Sequence, residues 1–103
     1  MPRRTPPVHP RLQHQLELLG DRLRLARRRR KMTQKQLAER VYVSPPTIGK
    51  LEAGDPTTSL ATLVRVLSVL KLEHDIESLA ADDTLGRELQ DQELKRPTST
   101  RRR

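Results

Sequence analysis

The chain has 103 residues, 33% of them hydrophobic and only Tyr42 aromatic, so it can build one small core, and dimerisation is one way to bury more apolar surface. It has no cysteine, which excludes disulfides, thiolate zinc sites and a cysteine nucleophile and suits a reducing cytosol. The net charge of +8 points to a polyanion as partner, nucleic acid or an anionic membrane.

No apolar run approaches the roughly 20 residues that span a bilayer, and the opening MPRRTPPVHP lacks the apolar stretch of a signal peptide. The charge is unevenly spread. Residues 1–31 carry ten Arg/Lys against Glu17 and Asp21 alone. Residues 73–93 carry eight of the thirteen acids and a single base, Arg87. One end is suited to phosphate, the other to a protein partner or a second subunit.

In chain order, residues 1–11 hold four prolines and three arginines and read as a basic, flexible arm. A first helix is expected from Leu12 or Leu16 to Arg30, with Leu12, Leu16, Leu19, Leu23 and Ala26 on one face. Arg27–Lys31 puts cations at its C-terminal end, where the macrodipole favours them. Thr33 is a good N-cap, and Gln36 three residues on completes a capping box for a second helix, with Leu37, Ala38 and Val41 inward. After a break at Val41–Val43, Ser44 caps a third helix over about Pro45–Ala53. Pro45 stands at its first position, Ile48 and Leu51 face inward, and Gly54 follows as the C′ residue.

Two short helices joined by a three- or four-residue turn are the helix-turn-helix unit, whose second helix is built to enter a DNA major groove. A fourth helix is expected after Thr58 or Ser59, burying Leu60, Leu63, Val64, Leu67 and Leu70. A fifth is expected at about Glu73–Ala80 with Leu72, Ile76 and Leu79 inward. Leu85 and Leu89 indicate a further short helix at about Asp83–Gln92, and residues 95–103 read as a basic flexible tail. The domain reading is an arm (1–11), a DNA-binding domain (12–80), an acidic segment for dimer or partner contact (81–94) and a tail (95–103).

Leu19–Leu70 resembles the lambda-repressor-like, Xre-type helix-turn-helix family. Leu23, Arg27, Met32-Thr33-Gln34, Leu37-Ala38, Val41, Ser44, Thr47-Ile48 and Leu51-Glu52-x-Gly54 carry the likeness. The longer pattern from LGDRLRLARRRR to GRELQDQEL is similar to HipB-like antitoxins, which are encoded beside HipA-like kinase toxins. The resemblance implies an all-α, compact five-helix lambda-repressor-like domain, and the residue pattern suggests an extra C-terminal helix and disordered tails.

The chemistry of each position can be weighed beside that resemblance. Gln34 and its neighbours Thr33 and Lys35, at the start of the second helix, suit a phosphate contact; the plainer alternative is an exposed glutamine. Thr57, Thr58 and Ser59 suit a second phosphate clamp or simple capping of the fourth helix. Ser44, Pro45, Pro46, Thr47, Gly49 and Lys50 are the candidate base-contacting residues. Among them Lys50 can donate to guanine O6/N7, and the Thr47 methyl or the proline rings can pack on a thymine methyl; the prolines also serve helix initiation. The resemblance implies an Arg27–Glu52 ion pair between the first and third helices, against the alternative that Arg27 is one more base in a basic run. The family often places glycine where this chain has Tyr42, so either that tyrosine adopts positive φ under strain or the turn differs.

Leu72, Ile76, Leu79, Leu85 and Leu89 are candidate dimer or partner contacts. No catalytic constellation, metal set or cofactor motif is recognisable: His9, His14 and His74 have no ligand spacing, and the acids near 73–83 lack the pattern of a calcium loop. The expected function is a cytoplasmic, nucleoid-associated homodimeric repressor on a palindromic operator in double-stranded DNA. The narrower resemblance implies an autoregulating antitoxin bound to a HipA-like kinase. The alternatives are a free-standing regulator, or an interaction module that uses the same scaffold without DNA.

Overall fold

The computed structural model describes residues 6–95, and among them are six helices and no strand. They are α1 (Pro10–Arg29), α2 (Gln34–Val41), α3 (Pro45–Glu52), α4 (Leu60–Val69), α5 (His74–Ser78) and α6 (Thr84–Lys95). The all-α class is as expected. The chain divides into two compact units between Glu73 and His74, ahead of α5, where the sequence suggested a division after residue 80.

The first unit is built on Leu23, Ala26, Leu37, Ala38, Val41, Ile48, Leu51, Val66, Leu67 and Leu70, all buried. Side chains of this size each stabilise the fold by about 1.5–3 kcal/mol when removed fully from water, Ala26 and Ala38 by less. Helix α1 begins earlier than expected. His9 caps it through Nδ1, which accepts from the Arg11 backbone N–H at 3.1 Å, and Pro10 takes the first helical position. Pro10 and Arg11 therefore belong to a helix and not to the arm. The rest of the arm lies at residues 6–9, which have no regular structure, and at 1–5, which lie outside the described residues; of the tail, residues 96–103 also lie outside them.

The apolar face of α1 needs correction at its N-terminal end. Leu12 is exposed and Leu16 and Leu19 are half-buried, whereas Gly20, Leu23, Ala26 and Arg27 are buried. Helix α4 departs further. Leu60 is 69% exposed, Val64 is exposed and Leu63 half-buried; the inward residues are Thr62, Val66, Leu67 and Leu70. The segment LATLVRVLSVL is apolar on nearly every side, so periodicity alone does not choose a face. Ser59 helps settle it: its hydroxyl caps the Thr62 N–H at 3.0 Å and donates to Thr62 Oγ1 at 2.9 Å, which satisfies the buried threonine.

The second unit holds α5 and α6, and neither contains a buried residue. Ile76 is half-buried, but Leu79, Leu85 and Leu89 are exposed, against the expectation that Leu79 faces inward; Leu72, just before this unit, is half-buried. Asp83 caps α6 by accepting the Gly86 N–H at 2.8 Å, and Arg87 reaches Asp82 at 2.7 Å.

Candidate nucleic-acid interface

Helix α2 opens on a complete capping box. The Gln36 N–H donates to Thr33 Oγ1 at 3.0 Å and the Thr33 N–H to Gln36 Oε1 at 2.8 Å. The box takes the third amide of the helix and leaves those of Gln34 and Lys35 without an intrahelical partner. The Gln34 side chain turns the other way, its Nε2 donating to Glu52 Oε1 at 3.0 Å.

The turn between α2 and α3 resolves the question raised by Tyr42. Its backbone is left-handed, with φ 63° and ψ 41°, and the Val43 N–H closes on the Ala38 carbonyl at 3.1 Å. The turn thus has the shape that glycine favours, built with a tyrosine.

Helix α3 is capped by Ser44, whose Oγ accepts from the Thr47 N–H at 3.3 Å. Pro45 and Pro46 occupy its first two positions and carry no N–H. Its inner side is Ile48, Leu51 and Glu52, all buried. Ser44, Pro45, Pro46, Lys50 and Ala53 are exposed, and Thr47 and Gly49 half-buried. Gly49 lies beside the Gln34 amide, whose Oε1 is 3.8 Å from where a Cβ would stand.

Helix α3 is held from behind by two buried charges. Arg27 donates from Nε to Glu52 Oε2 at 2.7 Å and from Nη2 to Glu52 Oε1 at 3.0 Å, and its Nη1 reaches the Met32 carbonyl at 2.8 Å. One guanidinium ties the end of α1, the lead into α2 and the end of α3. This two-pronged geometry is the arrangement in which a desolvated pair is best satisfied.

Gly20 brings α1 against α3: a Cβ there would stand 2.7 Å from the Glu52 carbonyl carbon and 2.8 Å from the Leu51 carbonyl oxygen. Gly54 has φ 83° and packs on Glu17, and its carbonyl accepts from Gln13 Nε2 at 2.8 Å. Gly54 stands at the C′ position its residue type suggests, whereas the bracing role of Gly20, a lone glycine inside a helical pattern, depends on a neighbour distant in sequence.

Beyond α3, Asp55 Oδ1 accepts the Thr57 N–H at 2.8 Å and the Thr57 hydroxyl at 2.7 Å. The Thr57 N–H first, then its hydroxyl, with Lys50 nearby, hold the Asp55 carboxyl below its ordinary range against a smaller opposing effect of burial. The Thr58 hydroxyl oxygen is buried without a partner, and Ser59 is spent on Thr62. The hydroxyls of all three expected clamp residues are thus engaged or hidden. The open donors there are the first amides of α4.

The exposed side chains of these helices and their links are mostly basic: Arg28, Arg29, Arg30, Lys31, Lys35, Arg40 and Lys50 face solvent, with Glu39 among them. A capped helix, a tight turn and an outward second helix braced from behind form a complete helix-turn-helix. A family model described as helix-turn-helix matches residues 23–76, more than half the chain. The chain belongs to the Xre-like helix-turn-helix family. No curated protein and no solved structure matches it. Members of this helix-turn-helix family are DNA-binding transcription regulators, so double-stranded DNA is the implied partner. Among the described residues, no helix of this helix-turn-helix protein is long and apolar enough to cross a membrane.

Proposed function

We propose that the protein is a sequence-specific repressor that binds a palindromic operator as a homodimer and acts at its own promoter. The observation that carries this reading is the outward flank of α3. Ser44, Pro45, Pro46 and Lys50 are open to solvent while Ile48, Leu51 and Glu52 anchor the opposite side. Lys50 is the principal donor to a base edge, and the proline rings and the Thr47 methyl supply apolar contacts to thymine. Backbone amides of Gln34 and Lys35, the Lys35 ammonium and the first turn of α4 meet phosphates, with Thr33, Thr57, Thr58 and Ser59 shaping those two helix starts. Two copies place their α3 helices in successive major grooves, roughly 34 Å apart, and exclude polymerase by occupancy.

Leu72, Ile76, Leu79, Leu85 and Leu89, none of them fully buried, are the proposed dimer or partner contacts. The resemblance to HipB-like antitoxins extends the proposal to a HipA-like kinase toxin as partner. Pull-down of a co-expressed kinase separates that extension from a free-standing regulator. The split between a basic reading unit and an acidic second unit speaks against an interaction module without DNA.

The test is footprinting on DNA upstream of the protein's own coding sequence. A protected two-fold site is expected, and Lys50→Ala is expected to lose about 1–3 kcal/mol of discrimination between operator and mismatched sites. Full discrimination by the Lys50→Ala protein would overturn its role as reader. An absence of protection at low salt would overturn the repressor reading.

A further inference from the structure

Tyr42 is the chain's single aromatic residue, and it is 89% exposed. It is held at a positive φ that any Cβ disfavours, in a turn that glycine would close at least as well. Neither packing nor local geometry explains a tyrosine here. Arg40, Val41, Arg65, Ser68 and Val69 line a shallow depression of about 250 Å³ beside it. Both arginines are exposed, and neither has an ion-pair partner among the described residues. Exposed tyrosine and arginine around a small apolar floor have the composition of an interface hot spot. The occupant this chemistry fits is an apolar ridge bordered by carboxylates.

The chain carries such a ridge. On α6, Leu85 and Leu89 lie four residues apart on one face, with Glu88 beside them; Asp82, paired with Arg87, and Asp83, which caps the helix, stand just before it. Residues 74–95 hold seven acids against Arg87 and Lys95. The helix has no buried side chain, and twelve residues are too few to be firmly helical alone in water. Packing one α6 on another would bring their acids together, whereas the depression offers two cations. We propose that the Tyr42 depression receives α6 of a second copy of this chain. Reciprocal exchange closes a two-fold dimer with two identical contacts. This rests on the homodimer reading above.

The test is sedimentation equilibrium of the full chain at low and high salt, with mobility shift on upstream DNA in parallel. Tyr42→Gly keeps the turn and removes the positive-φ penalty, so it remains folded by circular dichroism. Tyr42→Gly, Arg65→Glu and the double variant Leu85→Ser/Leu89→Ser are each expected to weaken dimerisation at least tenfold, and salt to weaken the wild type. A mixture of the Tyr42→Gly and Leu85→Ser/Leu89→Ser chains keeps one intact contact per pair and associates more tightly than either alone. A dimer that ignores Tyr42→Gly and Arg65→Glu overturns this proposal and leaves the homodimer reading standing. A monomeric wild type, free and on DNA, overturns both. Loss of DNA binding with self-association intact assigns Tyr42 to the duplex and overturns the proposal as well.

Discussion

Arg27 grips Glu52 through two hydrogen bonds of 2.7 and 3.0 Å, and neither residue is more than 8% exposed. Removing one partner strands the other in the interior. Glu52→Ala is expected to cost about 3–5 kcal/mol in urea or thermal unfolding. It also frees Gln34 Nε2 and the end of α3, so DNA affinity falls with it. Replacing both residues together, Arg27→Met with Glu52→Leu, recovers most of the stability, because no charge is left unpaired. If the single and double variants unfold alike, the pair is not what fixes α3.

Gly20 reverses the ordinary rule for helix interiors. Alanine there normally gains roughly 0.5–1 kcal/mol over glycine. Here the new methyl meets main-chain atoms of Leu51 and Glu52, which have no rotamer to move aside. Gly20→Ala is expected to destabilise by about 1–3 kcal/mol, as overpacking does. Thermal unfolding decides the sign.

The inward face of α4 is open to a simple comparison. Val66 is fully buried and Leu60 is mostly in water. Val66→Ala is expected to cost about 1.5–3 kcal/mol. Leu60→Ala, although it deletes more carbon, should stay within about 0.5 kcal/mol. A larger loss at Leu60 than at Val66 would show that α4 is turned as the sequence suggested.

Asp55 contributes an acid-sensitive element at the junction of α3 and α4. Its folded pKa lies below the unfolded value because the carboxylate accepts from Thr57 twice. The contribution is therefore complete above the unfolded pKa and is lost as pH falls through the folded one. The stability difference between wild type and Asp55→Asn should hold steady above about pH 5 and shrink below about pH 4. A difference that instead grew on acidification would contradict this assignment.

Where structure depends on short-range chemistry, the residues announce it. Thr33 with Gln36, Ser44 before Pro45, and Gly54 after α3 sit where their caps place them, because each involves atoms within a few residues. The facing of α4 was hidden because its apolar residues go nearly all the way round and packing chooses among them. Periodicity puts Leu79 inward because it registers amphipathy, and an exposed apolar position has the same spacing as a buried one. In the candidate site, the outward flank of α3 was legible residue by residue. The inward turn of the Gln34 amide and the engagement of the Thr57 and Ser59 hydroxyls were not, since each depends on which neighbour competes for one donor.

Pro45 and Pro46 have no amide hydrogen to offer, and the third, on Thr47, is already held by Ser44. The first three amides inside α3 therefore offer no grip to an oxyanion, unlike most helix beginnings, and the polar groups left at its tip are the Ser44 amide and the Ser44–Thr47 hydroxyl pair. Much of what that tip presents outward is hydrocarbon, from the two exposed proline rings. Pyrimidine 5-methyl groups are its natural counterpart, so 5-methylation of a cytosine opposite that tip should strengthen attachment, while deoxyuridine in place of thymidine should loosen it.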